Sequence, residues 1–328
     1  MRLIKNSSQN IHVSFDPLIE FENTILLDKE IELQTSINKY KYKFHVNVDR
    51  LLNKFGYSLV RVTPDSLLLR PLLDKKHLFV VMIWLDINKY FRNRFLRHNR
   101  SIYLFDAWTT EIDKIVNFIT IYKIDHIFLA ASQSKDILNS KIKKNNIYWI
   151  PIGINPKEYK YYSYEDKNID VLALGRKYDK YHDEILPYFY NNPEKYLYEK
   201  VKSEIIFPTR LEFIEGIARS KISICVPSNI THPERSGNIE TMTPRYLQSM
   251  VSKCLIIGHA PKEIITLFNY NPIIEIDFSN PLKQLDDILN NFSNYIPFIE
   301  KNYQEVLKFH TWNNRWLQIK EILNGPIN

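Results

Sequence analysis

The sequence predicts an α/β protein built as two domains, each organised on a parallel sheet. Three observations carry this. The chain of 328 residues is long enough for two domains of about 150 residues each. Short apolar runs of strand length alternate with amphipathic helical stretches in both halves, the pattern of βαβ units. The stretch from Ile222 to Gly258 reads without interruption as strand, charged loop, helix, strand. Such a unit sets polar residues beyond the carboxyl end of a strand, where open parallel sheets bind ligands.

Composition narrows the class. At 45% hydrophobic and 25% charged, the chain has enough apolar side chain for a core in each domain and is ordinary for a globular protein. The amino terminus, MRLIKNSSQNIHV, lacks a long apolar core, so no signal peptide is expected. The longest apolar run, His77–Leu85, is about half of what a spanning helix needs. A cytoplasmic location is expected. Cys225 and Cys254 lie in apolar, strand-like runs, which predicts buried reduced thiols, and no Cys/His spacing suggests zinc. The net charge of +7 favours anionic partners such as nucleotides, phospholipids or nucleic acid.

Val13–Phe15 and Thr24–Leu27 read as short strands. Asn47–Phe55 reads as a helix, with Val48, Leu51, Leu52 and Phe55 at helical spacing and Gly56 at its end. Tyr57–Val62 follows as a strand, and a polar link, Thr63 to Asp74, leads to Leu78–Leu85, an apolar run expected to be a central parallel strand. Next, Asn88–Arg100 interleaves Lys89, Arg92, Arg94, Arg97 and Arg100 with Tyr90, Phe91 and Phe95. It is either a solvated helix with a basic outer face or a surface that docks on anionic lipid or an anionic acceptor, which would place the protein at the inner face of a membrane. Strand Ser101–Phe105 delivers Asp106, Ala107 and Trp108 to its carboxyl end. A carboxylate and an exposed indole there suit sugar binding; alternatively Asp106 caps the helix Thr110–Tyr122. His126–Ala131 is a further strand. The first 150 or so residues carry no glycine-rich phosphate loop, so a phosphate site is expected in the second half.

Ile147–Tyr159 reads as a junction between the domains, with Pro151, Gly153 and the Asn155-Pro156 turn. Strand Val171–Leu174 runs into Gly175, Arg176 and Lys180. These are either a phosphate clamp, with glycine for close backbone approach and cations for charge, or an ordinary strand-to-helix turn. Glu204–Pro208 reads as a strand ending in Thr209-Arg210, and Leu211–Ser220 as a helix with Leu211, Ile214 and Ile217 on one face. Strand Ile222–Pro227 then enters a loop with His232, Glu234, Arg235 and Gly237. A helix runs from Thr243-Pro244 to about Lys253, and strand Cys254–Gly258 follows. Helix Pro261–Phe268, strand Pro272–Ile276 and helix Leu282–Phe292 come next. Tyr295–Leu323 is helical, broken near His310–Trp312, with Trp312 and Trp316 as packing anchors. Five of the seven glycines (Gly153, Gly175, Gly216, Gly237 and Gly258) fall between the junction and the strand after the key helix.

Three segments of the second half, in order, resemble the GT-B glycosyltransferases, specifically the group-1, family-four-like retaining enzymes. Trp149–Tyr159, WIPIGINPKEY, resembles the family's interdomain I-P-N-G-V-D segment. Asp170–Lys180, DVLALGRKYDK, resembles its strand ending in Gly-Arg with a following lysine. Glu240–Ile257, ETMTPRYLQSMVSKCLII, resembles a diverged E-G-F-G-L-P-x-L-E-A-M-A-x-G-x-P-V-I. The resemblance implies two Rossmann-like domains facing across a cleft. Residues 1–150 would be the acceptor side, 151–305 the nucleotide-sugar domain, and 306–328 a helix crossing back to the first domain. It implies transfer of a sugar from a nucleotide-diphosphate donor to a glycan, lipid-linked or other acceptor, in the setting of polysaccharide biosynthesis.

Residue by residue, Glu240 takes the place of the first glutamate of the Glu-x7-Glu motif, beside the donor sugar. Gln248 takes the place of the second, which holds the ribose hydroxyls. Arg176 and Lys180 fall at the donor diphosphate, with Gly175 before them, and Thr209 and Arg210 near the base. Thr243 and Arg245 belong to the helix start aimed at the diphosphate. His232, Glu234 and Arg235 lie in a loop longer than the family's and would shape donor choice. Asp106 is the candidate acceptor base. No Asp-x-Asp motif is present, so no metal or other cofactor is expected, only the nucleotide sugar as co-substrate. The alternative is a GT-B-shaped protein that binds nucleotide or glycan without transfer. Nucleic-acid binding, resting only on charge and aromatics, is not expected.

Overall fold

A computed structural model describes residues 1–4, 16–33, 77–85, 99–122, 124–143, 146–175, 177–201 and 205–325. The chain divides into two compact units. The first comprises Met1–Asn10, Glu22–Pro151 and Lys320–Asn328; the second comprises Ile11–Phe21 and Ile152–Ile319. The expected strands Val13–Phe15 and Tyr57–Val62, the helix Asn47–Phe55, the link after Val62, and residues 88–98 of the basic run lie outside the described residues.

The first unit holds a parallel sheet of β1 (Arg2–Ile4), β2 (Glu32–Leu33), β3 (Leu78–Met82), β4 (Arg100–Leu104), β5 (His126–Leu129) and β6 (Ile147–Trp149), in the order β2-β1-β3-β4-β5-β6. All five residues of β3 are buried, as a strand covered on both faces requires. Leu78, Val80 and Met82 join Ile102, Leu104 and Leu129 in one cluster. Helix α2 (Ile112–Tyr122) lays Ile112, Ile115 and Ile119 onto it at helical spacing. Helix α3 (Ser132–Lys141) adds Leu138.

Helix α1 (Asp16–Leu26) corrects the reading of Thr24–Leu27 as a strand. Leu18, Phe21 and Ile25 form a buried stripe three and four residues apart. The short apolar run is the end of that stripe, seen without its beginning. Trp108 is also corrected. It is buried, 9% exposed, and occupies the N-cap position of a 3-10 turn, Thr109–Glu111. No exposed indole is available there for a sugar face.

The second unit holds β7 (Ile169–Ala173), α4 (Asp179–Ile185), β8 (Tyr196–Tyr198), α5 (Arg210–Ala218), β9 (Ser220–Cys225), α6 (Pro244–Val251), β10 (Leu255–Gly258), α7 (Lys262–Phe268), β11 (Ile274–Glu275), α8 (Pro281–Asn290), α9 (Ile296–Phe309) and α10 (Trp312–Asn324) as far as Ile319, the residues from Lys320 on being counted with the first unit. Its strands are parallel, in the order β11-β10-β9-β7-β8. Renumbered within each sheet, both orders begin 2-1-3-4-5, the doubly wound arrangement whose direction reverses between the first and third strands. One face of the second sheet buries Val171, Ile222, Ile224, Leu255 and Ile257 against α4 and α8. On the other, Ser249 of α6 donates to Ser223 at 2.7 Å. Gly258 is needed for the β9–β10 pairing, because a Cβ there would lie 1.7 Å from the Cys225 carbonyl oxygen. Cys225 and Cys254 are buried and unpaired.

Two expectations fail here. Residues 205–208 form no strand, and Ile205 is half exposed. The edge strand is β8, whose Tyr196 packs on Phe189 and His182. Helix α5 turns Phe213, Gly216 and Ile217 inward and leaves Leu211 exposed, so the inward stripe is one residue off the expected Leu211–Ile214 line.

Two lysines hold helix ends. Lys167, 2% exposed, donates from Nζ to the carbonyls of Ala218, Ser220 and Ser252 at 2.8, 2.9 and 2.9 Å. One ammonium therefore serves the carboxyl ends of α5 and α6, where helix dipoles favour a cation. Lys253 follows α6 with φ +52. Cys254 N donates to Ser249 O at 2.9 Å and Lys253 N to Met250 O at 3.1 Å, the Schellman closure that glycine usually makes. The Lys253 ammonium lies 4.2 Å from the Tyr161 ring and 4.6 Å from the Tyr303 ring, and pairs with Glu300 at 2.7 Å.

The break between α9 and α10 falls at His310, whose ring stacks on Phe268 and whose Nδ1 accepts from Arg315. Trp312 stacks on Phe21 at 4.5 Å, the anchoring expected of it. Among the described residues, no helix is long and apolar enough to cross a membrane.

Candidate functional site

The second sheet reverses direction between β7 and β9, and the carboxyl ends of its strands gather the sequence-predicted residues. β7 ends at Ala173 and is followed by Leu174 and Gly175, which has φ +76, a conformation glycine adopts without strain. Arg245, in the first turn of α6, donates from Nη1 to the Leu174 carbonyl oxygen. The same nitrogen is 3.3 Å from where a Cβ on Gly175 would stand. A guanidinium thus covers the open backbone at the end of β7. Thr243 is the N-cap of α6 and Pro244 its first residue, as the sequence predicts. Thr243 makes no side-chain cap, and its Oγ1 is buried without a hydrogen-bond partner among the described residues. Tyr246 Oη reaches the carbonyls of Cys225 and His259 at 3.2 and 2.7 Å, fixing α6 to β9 and to the end of β10.

Glu240 stands before this helix. The segment after it is fastened by buried Glu263, which accepts from Thr241 Oγ1 at 2.6 Å and from Met242 N at 2.5 Å. The Glu240 carboxylate meets His259, Nε2 to Oε1, at 2.7 Å. His259 Nδ1 lies 3.2 Å from Glu275 Oε2. The arrangement sets a carboxylate, a guanidinium and a helix amino end along the carboxyl ends of the strands, which is chemistry suited to an anionic ligand bearing hydroxyls.

Gln248 faces inward, 4% exposed. Its Nε2 donates to Tyr159 Oη at 3.1 Å, and Tyr159 donates to Glu20 Oε1 at 2.8 Å. Glu20 also accepts from Asn155 N at 2.9 Å and from Arg210 Nη2 at 3.1 Å. Arg210 pairs in turn with Glu158 at 2.6 Å. Burial raises the Glu20 carboxyl to about 7, against the opposing pull of its donors. Gln248 and Arg210 thus belong to one internal network.

The remaining predicted residues are dispersed. Arg176 lies outside the described residues. Lys180 holds its ammonium 4.1 Å from the Phe278 ring centroid. Thr209 caps α5 in a box with Glu212. Glu234 and Arg235 sit on a single helical turn, Pro233–Ser236, and His232 joins it to another, Ser228–Thr231, where a loop was expected. Asp106 belongs to the first unit, at the carboxyl end of β4, with its backbone N bonded to Ile83 O at 2.7 Å. A cavity of about 460 Å³ opens elsewhere, beside α5 and the amino end of β7, lined by Asn168, Leu197, Phe207 and Arg219. It lies at the wrong end of the sheet for the ligand crevice of a doubly wound fold.

Sequence reasoning missed His259, Glu275, Tyr159 and Glu20. His259 had a signal: it directly follows β10, at a strand's carboxyl end. Glu20 had none, because its partners lie more than a hundred residues away.

No protein-family model matches the chain, and no curated protein matches it in sequence. Solved structures do match in three dimensions. Anabaena Alr3699/HepE in complex with UDP-glucose is 10% identical, with 98% of each chain covered and a TM-score of 0.60. A glycosyltransferase from Rickettsia africae is 13% identical, covering 99% of this chain and 98% of that one, with a TM-score of 0.52. The N-terminal domain of Candida albicans trehalose-6-phosphate phosphatase is 10% identical, covering 98% and 96%, with a TM-score of 0.57. The likeness is one of fold: two parallel α/β units of the GT-B type.

Proposed function

We propose that this chain transfers a sugar from a nucleotide-diphosphate donor to a glycan, lipid-linked or other acceptor, with retention of anomeric configuration. The placement of Glu240, Arg245, Gly175 and the amino end of α6 along the carboxyl ends of the second sheet's strands carries this reading. Structures of the same fold in complex with UDP-glucose and UDP support it.

Breaking the bond from sugar to diphosphate puts negative charge on the leaving phosphate oxygens. Arg245, the open Gly175 backbone and the first-turn amides of α6 are fixed donors for that charge and need no reorganisation as it develops. Glu240 orients a donor-sugar hydroxyl and offsets oxocarbenium-like positive charge. Asp106 is the candidate base for the acceptor hydroxyl.

The test is nucleoside diphosphate release by the full chain from UDP-, GDP- and TDP-sugars with a panel of acceptors. Glu240→Ala and Arg245→Ala are expected to lower the rate about a hundredfold, and chelation of divalent metal to leave it unchanged. Binding without turnover for every donor favours the second reading, a GT-B-shaped binding protein. A match to the N-terminal domain of Candida albicans trehalose-6-phosphate phosphatase, which is not named as a transferase, supports keeping that second reading.

A further inference from the structure

Glu240 is held from two sides. Its backbone neighbours are fastened by Glu263, and its carboxylate by His259. The histidine is itself anchored. Its backbone N donates to Cys225 O at 3.1 Å, and its carbonyl accepts from Tyr246 Oη at 2.7 Å. Its far ring nitrogen faces Glu275, whose other oxygen accepts from Ala260 N at 2.8 Å. Both ring nitrogens therefore meet carboxylate oxygens. The His259 and Glu275 side chains are 42% and 46% exposed. Exposed pairs of this kind contribute little to stability, so stability does not account for a three-member chain that ends on Glu240, itself only 17% exposed. Orientation does. A glutamate has several rotamers of similar energy, and a ligand that needs one of them binds more weakly when the side chain is not held.

We propose that His259 is a positioning residue that fixes the Glu240 carboxylate for the donor sugar, with Glu275 fixing His259 in turn. The proposal rests on the reading of Glu240 as the donor-sugar carboxylate. It predicts that His259 acts on the sugar and not on the nucleotide.

Calorimetric binding of UDP and of UDP-glucose to the full chain separates the two. His259→Ala is expected to weaken UDP-glucose about tenfold and to leave UDP within about twofold. His259→Gln, which keeps a donor near the Nε2 position, restores most of the loss. In the Glu240→Ala background, His259→Ala adds nothing further. Equal weakening of UDP and UDP-glucose overturns the proposal, as does a full additional loss in that background. The ligand-free chain supplies a second measurement, the imidazole 15N resonances of His259. They are expected to move in both Glu240→Gln and Glu275→Gln, and resonances unmoved by Glu240→Gln overturn the pairing whatever the ligand. A chain in which these resonances respond but which binds no nucleotide or nucleotide sugar overturns the functional reading, and the role given to His259 with it.

Discussion

Gln248→Glu restores the residue that the family resemblance implies at this position, and the surrounding geometry predicts that it destabilises the chain. The Tyr159 hydroxyl has one proton, and that proton goes to Glu20 at 2.8 Å. The tyrosine oxygen can therefore only accept from residue 248, which the amide does at 3.1 Å. A carboxylate has no proton to give. The substitution removes one hydrogen bond, a loss of about 1 kcal/mol. It also places a second carboxylate, at a site 4% exposed, beside one that burial already holds at about 7, a cost of about 2 to 4 kcal/mol. The expected loss is about 3 to 5 kcal/mol at pH 8. Both carboxyls then have folded values above their unfolded ones. The loss therefore shrinks as pH falls toward 5, where protonation supplies the missing donor. Urea unfolding followed by tryptophan fluorescence at pH 8 and pH 5 measures it. Adding Glu20→Gln should relieve most of the cost, because the amide at position 20 can donate to Tyr159 and the tyrosine proton can turn to the new carboxylate. A variant within about 0.5 kcal/mol of the parent at pH 8, or a double mutant whose costs simply add, refutes the reasoning.

Three further outcomes are expected. Glu20→Gln alone should stabilise the chain at pH 8 by less than the about 3 kcal/mol given by 1.36 kcal/mol for each unit between 4.5 and about 7, because its amide nitrogen replaces an oxygen that accepts from Asn155 or from Tyr159 and Arg210. The sign follows from a carboxyl raised in the folded state: its contribution is whole below 4.5 and lost as pH rises through about 7, so the gain should vanish near pH 4.5 in denaturant titrations. Lys167→Met should cost about 3 kcal/mol or more, since three carbonyls lose a charged donor in a buried site; the unfolding midpoint reports it. Gly258→Ala should cost at least about 3 kcal/mol, because the new methyl meets the Cys225 carbonyl oxygen at 1.7 Å and both partners are backbone; thermal melting or loss of folded yield reports that.

Much of the fold was legible because parallel strands buried on both faces are short apolar runs with sharp ends. β3, β4, β5, β9 and β10 are of this kind. Helix α6 was legible from Thr243-Pro244, whose chemistry marks a first turn. What failed was local reading of residues whose partners are distant. The Thr24–Leu27 segment looked extended only without the buried Leu18 and Phe21 one and two turns earlier. The β8 strand is three residues long and held by aromatic contacts with α4 and its surroundings, which no local pattern announces. The site divided in the same way. Glu240, Gly175 and Arg245 were legible as candidates because they stand at strand and helix ends, where position alone suggests a role. Gln248 was placed correctly on its helix, yet its partner Tyr159 and the carboxylate behind it lie in other segments. Nothing in the spacing of residues pairs Glu20 with Tyr159.

The end of α6 shows what such distant encoding entails. With glycine after the last turn, the stop signal would sit in the residue itself and act as soon as the helix formed. Here a lysine takes the left-handed turn, and Tyr161, Tyr303 and Glu300 hold its side chain there. Two of those three belong to α9. The boundary of the helix that bears Arg245 and Gln248 is thus set by a segment made later in the chain. The side-chain support of that turn is therefore complete only once α9 has packed beside it.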